Sequence, residues 1–273
     1  MRVSLVFAAF ASFLIPSLAL DIPSNIKAFY NNAKAQGQCQ KPIKSGLYSY
    51  YGGPPDWSYC GDHKDDWGIV YIQGKNGLFA NMDIDCDGQS LQPNSGRCGH
   101  NPTDQSVTAM RDALQAYQIA GVSDLNIYVH PYVVFGNSGT NPHNVVFDPQ
   151  GAGILPLSII LIVTPTACGI WGDTNGGERD SSYVGEASLA AGELTFGVGA
   201  VNGTTSHDPN DVLYIAFTGT AAVPGKTGAS WNATTKEQFA ASIQAQCLKV
   251  AARVQPDSAC SWAGHCAGRV SPK

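Results

Sequence analysis

Acidic side chains set among glycines and small polar residues occur at three places in this sequence, and they are its candidates for chemistry. The first is Met82-Asp83-Ile84-Asp85-Cys86-Asp87-Gly88, where alternation along an extended strand puts Asp83, Asp85 and Asp87 on one face. Three neighbouring carboxylates repel unless a cation lies between them: a metal ion, a Lys or Arg side chain, or the ammonium group of a bound molecule. The segment copies the first half of a calcium loop, but its twelfth position is Asn94 where a bidentate Glu is needed, so the metal ranks last. The second place is Trp171-Gly172-Asp173-Thr174-Asn175-Gly176-Gly177, an apolar strand ending in Asp173 on a glycine-rich turn. There a carboxylate is exposed yet aimed, or it caps its own backbone as an Asx turn. The third is Val184-Gly185-Glu186-Ala187-Ser188-Leu189-Ala190, where Glu186 lies in a small, apolar run. Burial raises the pKa of a carboxyl and suits it to give up a proton. The competing explanation is that Glu186 merely opens a short helix.

Other hydrolytic chemistries have no footing. The sequence contains no GxSxG elbow, no HExxH helix and no phosphate-binding glycine loop, and without a CxxC or HxxxH pair it offers no zinc site.

The elements that must position these acids read as a β core with two or three helices on it. Residues 67–73 (WGIVYIQ) and 78–84 (LFANMDI) are expected strands around a Lys75-Asn76-Gly77 hairpin turn. Residues 125–135, 157–164 and 212–218 are rich in β-branched and aromatic side chains and are expected strands too. Helices are expected over residues 22–35 and 106–117, and from the capping pattern Thr235-Lys236-Glu237-Gln238 to about Val254. The resulting fold class is a β-rich α+β single domain with a barrel-like or sandwiched core.

The first nineteen residues have one basic residue, Arg2, then an apolar run and a Ser17-Leu18-Ala19 cleavage-like site, the layout of a secretory signal peptide. No later stretch reaches membrane-spanning length. Eight cysteines, all beyond residue 19, suit disulfides in an oxidising compartment. Asn202-Gly203-Thr204 and Asn232-Ala233-Thr234 fit the N-glycosylation pattern. A chain with 16 basic and 21 acidic residues, net −5, is a poor partner for nucleic acid and an acceptable one for a cationic ligand. The expected protein is secreted, monomeric and independent of membranes.

The ordered set MDIDCDG, WGDTNGG and VGEASLA resembles the fungal chitosanases of glycoside hydrolase family 75. The resemblance implies an endo-acting hydrolase of chitosan that inverts the anomeric carbon and needs no cofactor. It assigns the two essential acids to Asp173 and Glu186. Their contexts suggest Glu186 as the acid and Asp173 as the ionised base. Asp83, Asp85 and Asp87 become candidate subsites for glucosamine amines, with Trp171 and Asn175 also expected against substrate, and Tyr48, Tyr50, Tyr51 and Trp57 as further aromatic platforms. The rival function is a non-catalytic polysaccharide-binding or wall-loosening protein, which would need one critical acid or none.

Overall fold

The structure, a computed structural model, describes residues 21–89, 97–99, 104–176 and 181–256. The expected signal peptide, Asn94, Cys260 and Cys266 lie outside these residues.

The most apolar segment of the chain dictates the architecture. Ile159–Val163 (β6) is five consecutive aliphatic residues, all buried. Such a strand needs neighbours on both edges and cover on both faces. It pairs with Ala167–Asn175 (β7) on one side and His207–Phe217 (β9) on the other, both antiparallel. From β9 the sheet continues through Ala80–Asp85 (β4), Glu186–Ser188 (β8) and Tyr132–Asn137 (β5) back to β7, so six strands close into a barrel. Closure leaves no free edge in the ring.

Three further strands, Pro42–Leu47 (β1), Trp57–Cys60 (β2) and Ile69–Gly74 (β3), extend this sheet through pairing of β3 with β9. The barrel form of the expected core is therefore the observed one. The expected hairpin is not: β3 and β4 are joined by a turn at Lys75–Gly77, but β9 lies between them in the sheet. Eleven residues make β9 long enough for Ile215–Phe217 to pair with β3 and the stretch His207–Val212 with β4, along one edge in succession.

Four α-helices lie among the described residues, one more than the upper expectation. Ser24–Gln36 (α1) buries Ile26, Phe29 and Ala33 at helical spacing. Arg111–Ala116 (α2) is shorter than its expected span. Leu189–Phe196 (α3) begins where the Oγ of Ser188 accepts the Ala191 N–H. Lys236–Ala251 (α4) is capped by Thr235, whose hydroxyl accepts the Gln238 N–H, and lays Phe239, Ile243, Cys247 and Val250 against β6 and β7. Disulfides join Cys39 to Cys60, Cys86 to Cys98, and Cys168 on β7 to Cys247 on α4.

Candidate active site

The strand register gathers the acids at one level of the barrel. Val134 of β5 stands opposite Asp173 on β7 and opposite Glu186 on β8. Glu186 in turn stands opposite Asp83 on β4, one strand further round. Both acids are strand residues: Asp173 is inside β7 rather than on a turn, and Glu186 begins β8 rather than a helix.

Each acid follows a glycine, for a physical reason. Between the Val133–Trp171 and Val134–Asp173 pairs the register slips by one residue, leaving Gly172 as a bulge on β7. A bulge of this kind re-aims the next side chain. A Cβ on Gly172 would meet the Tyr132 Cβ at 2.3 Å, so only glycine fits. Gly185 takes a φ of +94° and approaches Asn81 so closely that a Cβ would lie 2.5 Å from its Oδ1. The Gly185 carbonyl accepts the Asp83 N–H at 2.7 Å, which fixes the start of β8 against β4.

Asp173 sits in an acidic enclosure. It is only 6% exposed. Its Oδ1 accepts the N–H groups of Ala109 (3.0 Å) and Thr174 (2.7 Å), while its buried Oδ2 has no hydrogen-bond partner. Oxygens of Asp85, Asp87 and Asp173 all lie within 4.8 Å of one another. Asp87 is brought in although β4 ends at Asp85, because its backbone N–H donates to the Asp85 carboxylate at 2.9 Å and its own Oδ1 accepts from Gln105 N at 2.6 Å. Burial, then the charge of Asp85, pushes the Asp173 carboxyl well above the usual carboxylate range. Burial, then the charge of Asp87, raises Asp85 to about 7, and burial raises Asp87 to about 6. The expectation of an exposed Asp173 on a turn is corrected, since the residue is buried within β7.

Glu186 has the acid Asp83 as its register neighbour on β4, and neutral polar groups besides. Its Oε2 accepts from Asn175 Nδ2 at 2.7 Å. The Asn175 amide is held beside the Tyr183 carbonyl, to which Asn137 Nδ2 also donates at 2.8 Å. Asn137 Oδ1 accepts from the Tyr59 hydroxyl, which accepts the Gly136 N–H, each at 2.9 Å. Asp83, half-buried, accepts from Asn81 Nδ2 at 3.1 Å, and burial raises its pKa.

The expected aromatic platforms divide. Trp171 is 3% exposed and donates its ring N–H to the Asp173 carbonyl at 2.8 Å, so it braces the acid and offers no free face. Trp57 is buried too, whereas Tyr51 is 91% exposed. Sequence reasoning missed Asp124, whose carboxylate accepts the Thr108 N–H and hydroxyl at 2.8 and 2.6 Å and thereby holds the segment that presents Ala109 to Asp173. It also missed Tyr132, which donates to the Asp87 carbonyl. The available signal was an acid directly before a segment expected to be an apolar strand, and a tyrosine within that segment, of which only the part from Tyr132 is strand.

Over residues 82–253 the sequence matches the family described as fungal chitosanase of glycosyl hydrolase group 75. It is 40% identical over 251 residues to endo-chitosanase B of Aspergillus oryzae, covering 89% of this chain and 95% of that protein. To an endo-chitosanase of the same species it is 41% identical over 233 residues, 83% of this chain and 89% of the other. To an endo-chitosanase of Aspergillus fumigatus it is 39% identical over 229 residues, 83% and 88% of the two chains.

Proposed function

Since this chain belongs to the fungal chitosanases of glycosyl hydrolase group 75, and is thereby a glycoside hydrolase, we propose that it cuts β-1,4 links within chitosan by inversion, with Asp173 as proton donor and Glu186 as base. The observation that carries this assignment is the contrast between the two acids that face Val134. One is enclosed by carboxylates and the other is held by an amide N–H. A carboxyl that must stay protonated and one that must stay charged need different surroundings. The roles expected from sequence are therefore exchanged.

The spacing supports inversion. Two strand separations of about 4.8 Å put the two backbones roughly 10 Å apart. That leaves room for the ~6.5–9.5 Å between carboxyl groups that an inverting pair needs to seat a water. Asp173 gives its proton to the glycosidic oxygen as the C1–O bond breaks, and the bonding electrons leave with that oxygen. The water attacks C1 from the opposite side and passes a proton to Glu186. Asp173 then recovers a proton, and Glu186 loses one, through solvent.

Substrate selection rests on the surplus acids. Glucosamine units carry ammonium groups under mildly acidic conditions, and carboxylates beside the bond to be cut favour them over neutral acetylated units. Asp83 on one side of the pair and Asp87 on the other are the proposed contacts. Among the described residues no helix is long and apolar enough to cross a membrane. With three disulfides and the N-terminal pattern, this supports secretion.

The test combines soluble chitosan with an aryl glycoside of a chito-oligosaccharide, whose leaving group needs no proton. Asp173→Asn should lose activity on chitosan and keep much of it on the aryl substrate, while Glu186→Gln should lose both. Proton NMR of the first products should show the α-anomer. An initial β-anomer would mean retention.

A further inference from the structure

We infer that Asp85 is a positioning residue for the reaction, holding the proton on Asp173 by setting a second carboxyl beside it. The inference rests on Asp173 as the donor. Oδ1 of Asp173 is satisfied by two N–H groups, whereas Oδ2 is enclosed without a partner and the residue is more than nine-tenths buried. An ionised carboxylate places negative charge on both oxygens, and here one of them has no donor. A protonated carboxyl places O–H on that oxygen, and the residue's neighbours include Asp85 and Asp87, with an oxygen of each of the three acids within 4.8 Å of the others. Buried polar atoms without partners are costly, so the proton-bearing form is the one this enclosure fits.

The groups that face this enclosure come from four elements. Asp85 enters from β4, Asp87 from the residues after it, and Tyr132 from β5, while Asp104 acts on Asp85 and Asp87 from the segment ahead of α2. All of the ionisable ones become negative or stay neutral on titration. The raised pKa values of Asp173, Asp85 and Asp87 agree with this, and carboxyls this close release their protons as a group rather than one residue at a time. An apolar pocket would also favour a protonated acid, but it could not be tuned by a single charge. This one can, because Asp85 is the neighbour whose charge acts most on Asp173.

The experiment is the pH dependence of kcat for wild type and Asp85→Asn on the same chitosan oligomer, so that titration of the substrate amines is common to both. Removing the Asp85 charge makes Asp173 easier to ionise. The alkaline limb should move to lower pH by about one unit or more, near tenfold in rate at a fixed pH on that limb, with the acidic plateau close to wild type. A merely structural role would lower the rate equally at all pH values and leave the limb in place, which would overturn the inference. If instead the acidic limb moves to lower pH, the two carboxyls are coupled but Asp173 is the base. Then the donor assignment fails, and the aryl-substrate test fails with it. A limb that shifts in the wild-type enzyme on adding a chelator would replace the shared proton by a metal ion and overturn the proposal. Should Asp85→Asn not fold, Asp87→Asn probes the same enclosure, with a smaller shift expected.

Discussion

Asp173 and Glu186 stand at the same level of one barrel, on strands flanking the same residue, yet their surroundings differ in kind. The Asp173 side is built of carboxyls and a tyrosine, with one oxygen left without a partner. The Glu186 side has one acid, Asp83, opposite it on β4, and otherwise the amides of Asn175 and Asn137 and the Tyr59 hydroxyl. Burial alone does not distinguish the roles of two acids. The two sites differ in how many carboxyls share the space: Asp85 and Asp87 both crowd Asp173, which also accepts two backbone N–H groups, whereas Glu186 has Asp83 opposite it and accepts a side-chain amide. A sheet that alternates parallel and antiparallel pairings can set these two environments about 10 Å apart without a loop between them.

The sharpest way to break this comparison is to remove each acid. Asp173→Asn and Glu186→Gln should each lower activity on chitosan by ~10²–10⁴ while leaving circular dichroism and Tm near wild type. A folded variant keeping more than about a hundredth of the wild-type rate would withdraw that residue from the pair. The two glycines come next. Gly172→Ala forces a Cβ onto Tyr132, and Gly185→Ala forces one onto Asn81 in a backbone conformation that side chains disfavour. Each should cost about 1–3 kcal/mol in denaturant unfolding. Each should also lower kcat by displacing its own acid, the first shifting the proton-donor limb of the pH profile and the second the base.

A smaller effect is expected at Asn175. Asn175→Ala removes the N–H that holds the Glu186 carboxylate, a charged hydrogen bond worth roughly 1.5–3 kcal/mol. Part of this remains available through water, so kcat should fall by roughly tenfold rather than to the level of Glu186→Gln. The smallest effect is on stability. Asp85, raised to about 7, binds a proton more tightly folded than unfolded, where its pKa is near 3.8. The stabilisation this brings is full below the ordinary carboxylate range and is lost as pH rises through about 7. Native protein should therefore melt higher near pH 5 than near pH 7. Asp85→Asn should raise Tm at pH 7 by roughly 2–4 °C, the shift that about 1 kcal/mol gives in a chain of this size, and change little at pH 4. A Tm difference that does not depend on pH would separate the enclosure from any storage of protons.

Much of this arrangement was legible in the residues, and the limits have physical causes. The alternation of Asp83 and Asp85 is real because β4 runs through both, and the Thr235 cap marks the start of α4 to the residue. β6 was readable because five aliphatic residues in a row have few alternatives. The hairpin failed because a turn such as Lys75–Gly77 reports only that the chain reverses, and not that another strand enters the gap. From sequence the strand is expected to end in Asp173 on a glycine-rich turn, because glycine signals both turns and bulges. Here the deciding fact was the approach of Tyr132 from a strand forty residues earlier in the sequence. The two proposed acids stand out in the sequence. The surroundings of Asp173 do not, because Asp85 comes from β4 and Asp87 from the residues after it.

The place of β9 in the chain has a consequence for biogenesis. Among the described residues it is the last strand in sequence, yet it borders β3, β4 and β6, so neither the ring nor its outer extension is complete until Phe217 has been synthesised. A nascent chain that has made β1 through β8 presents unpaired edges on all three of those strands, the kind of surface that invites pairing with other chains. The sheet must therefore assemble after most of the polypeptide has emerged, around contacts distant in sequence, which places its folding in the slow range of milliseconds to seconds or longer. The tether from Cys168 to Cys247 then joins β7 to a helix made later still, so the barrel is fastened to a segment synthesised after β9.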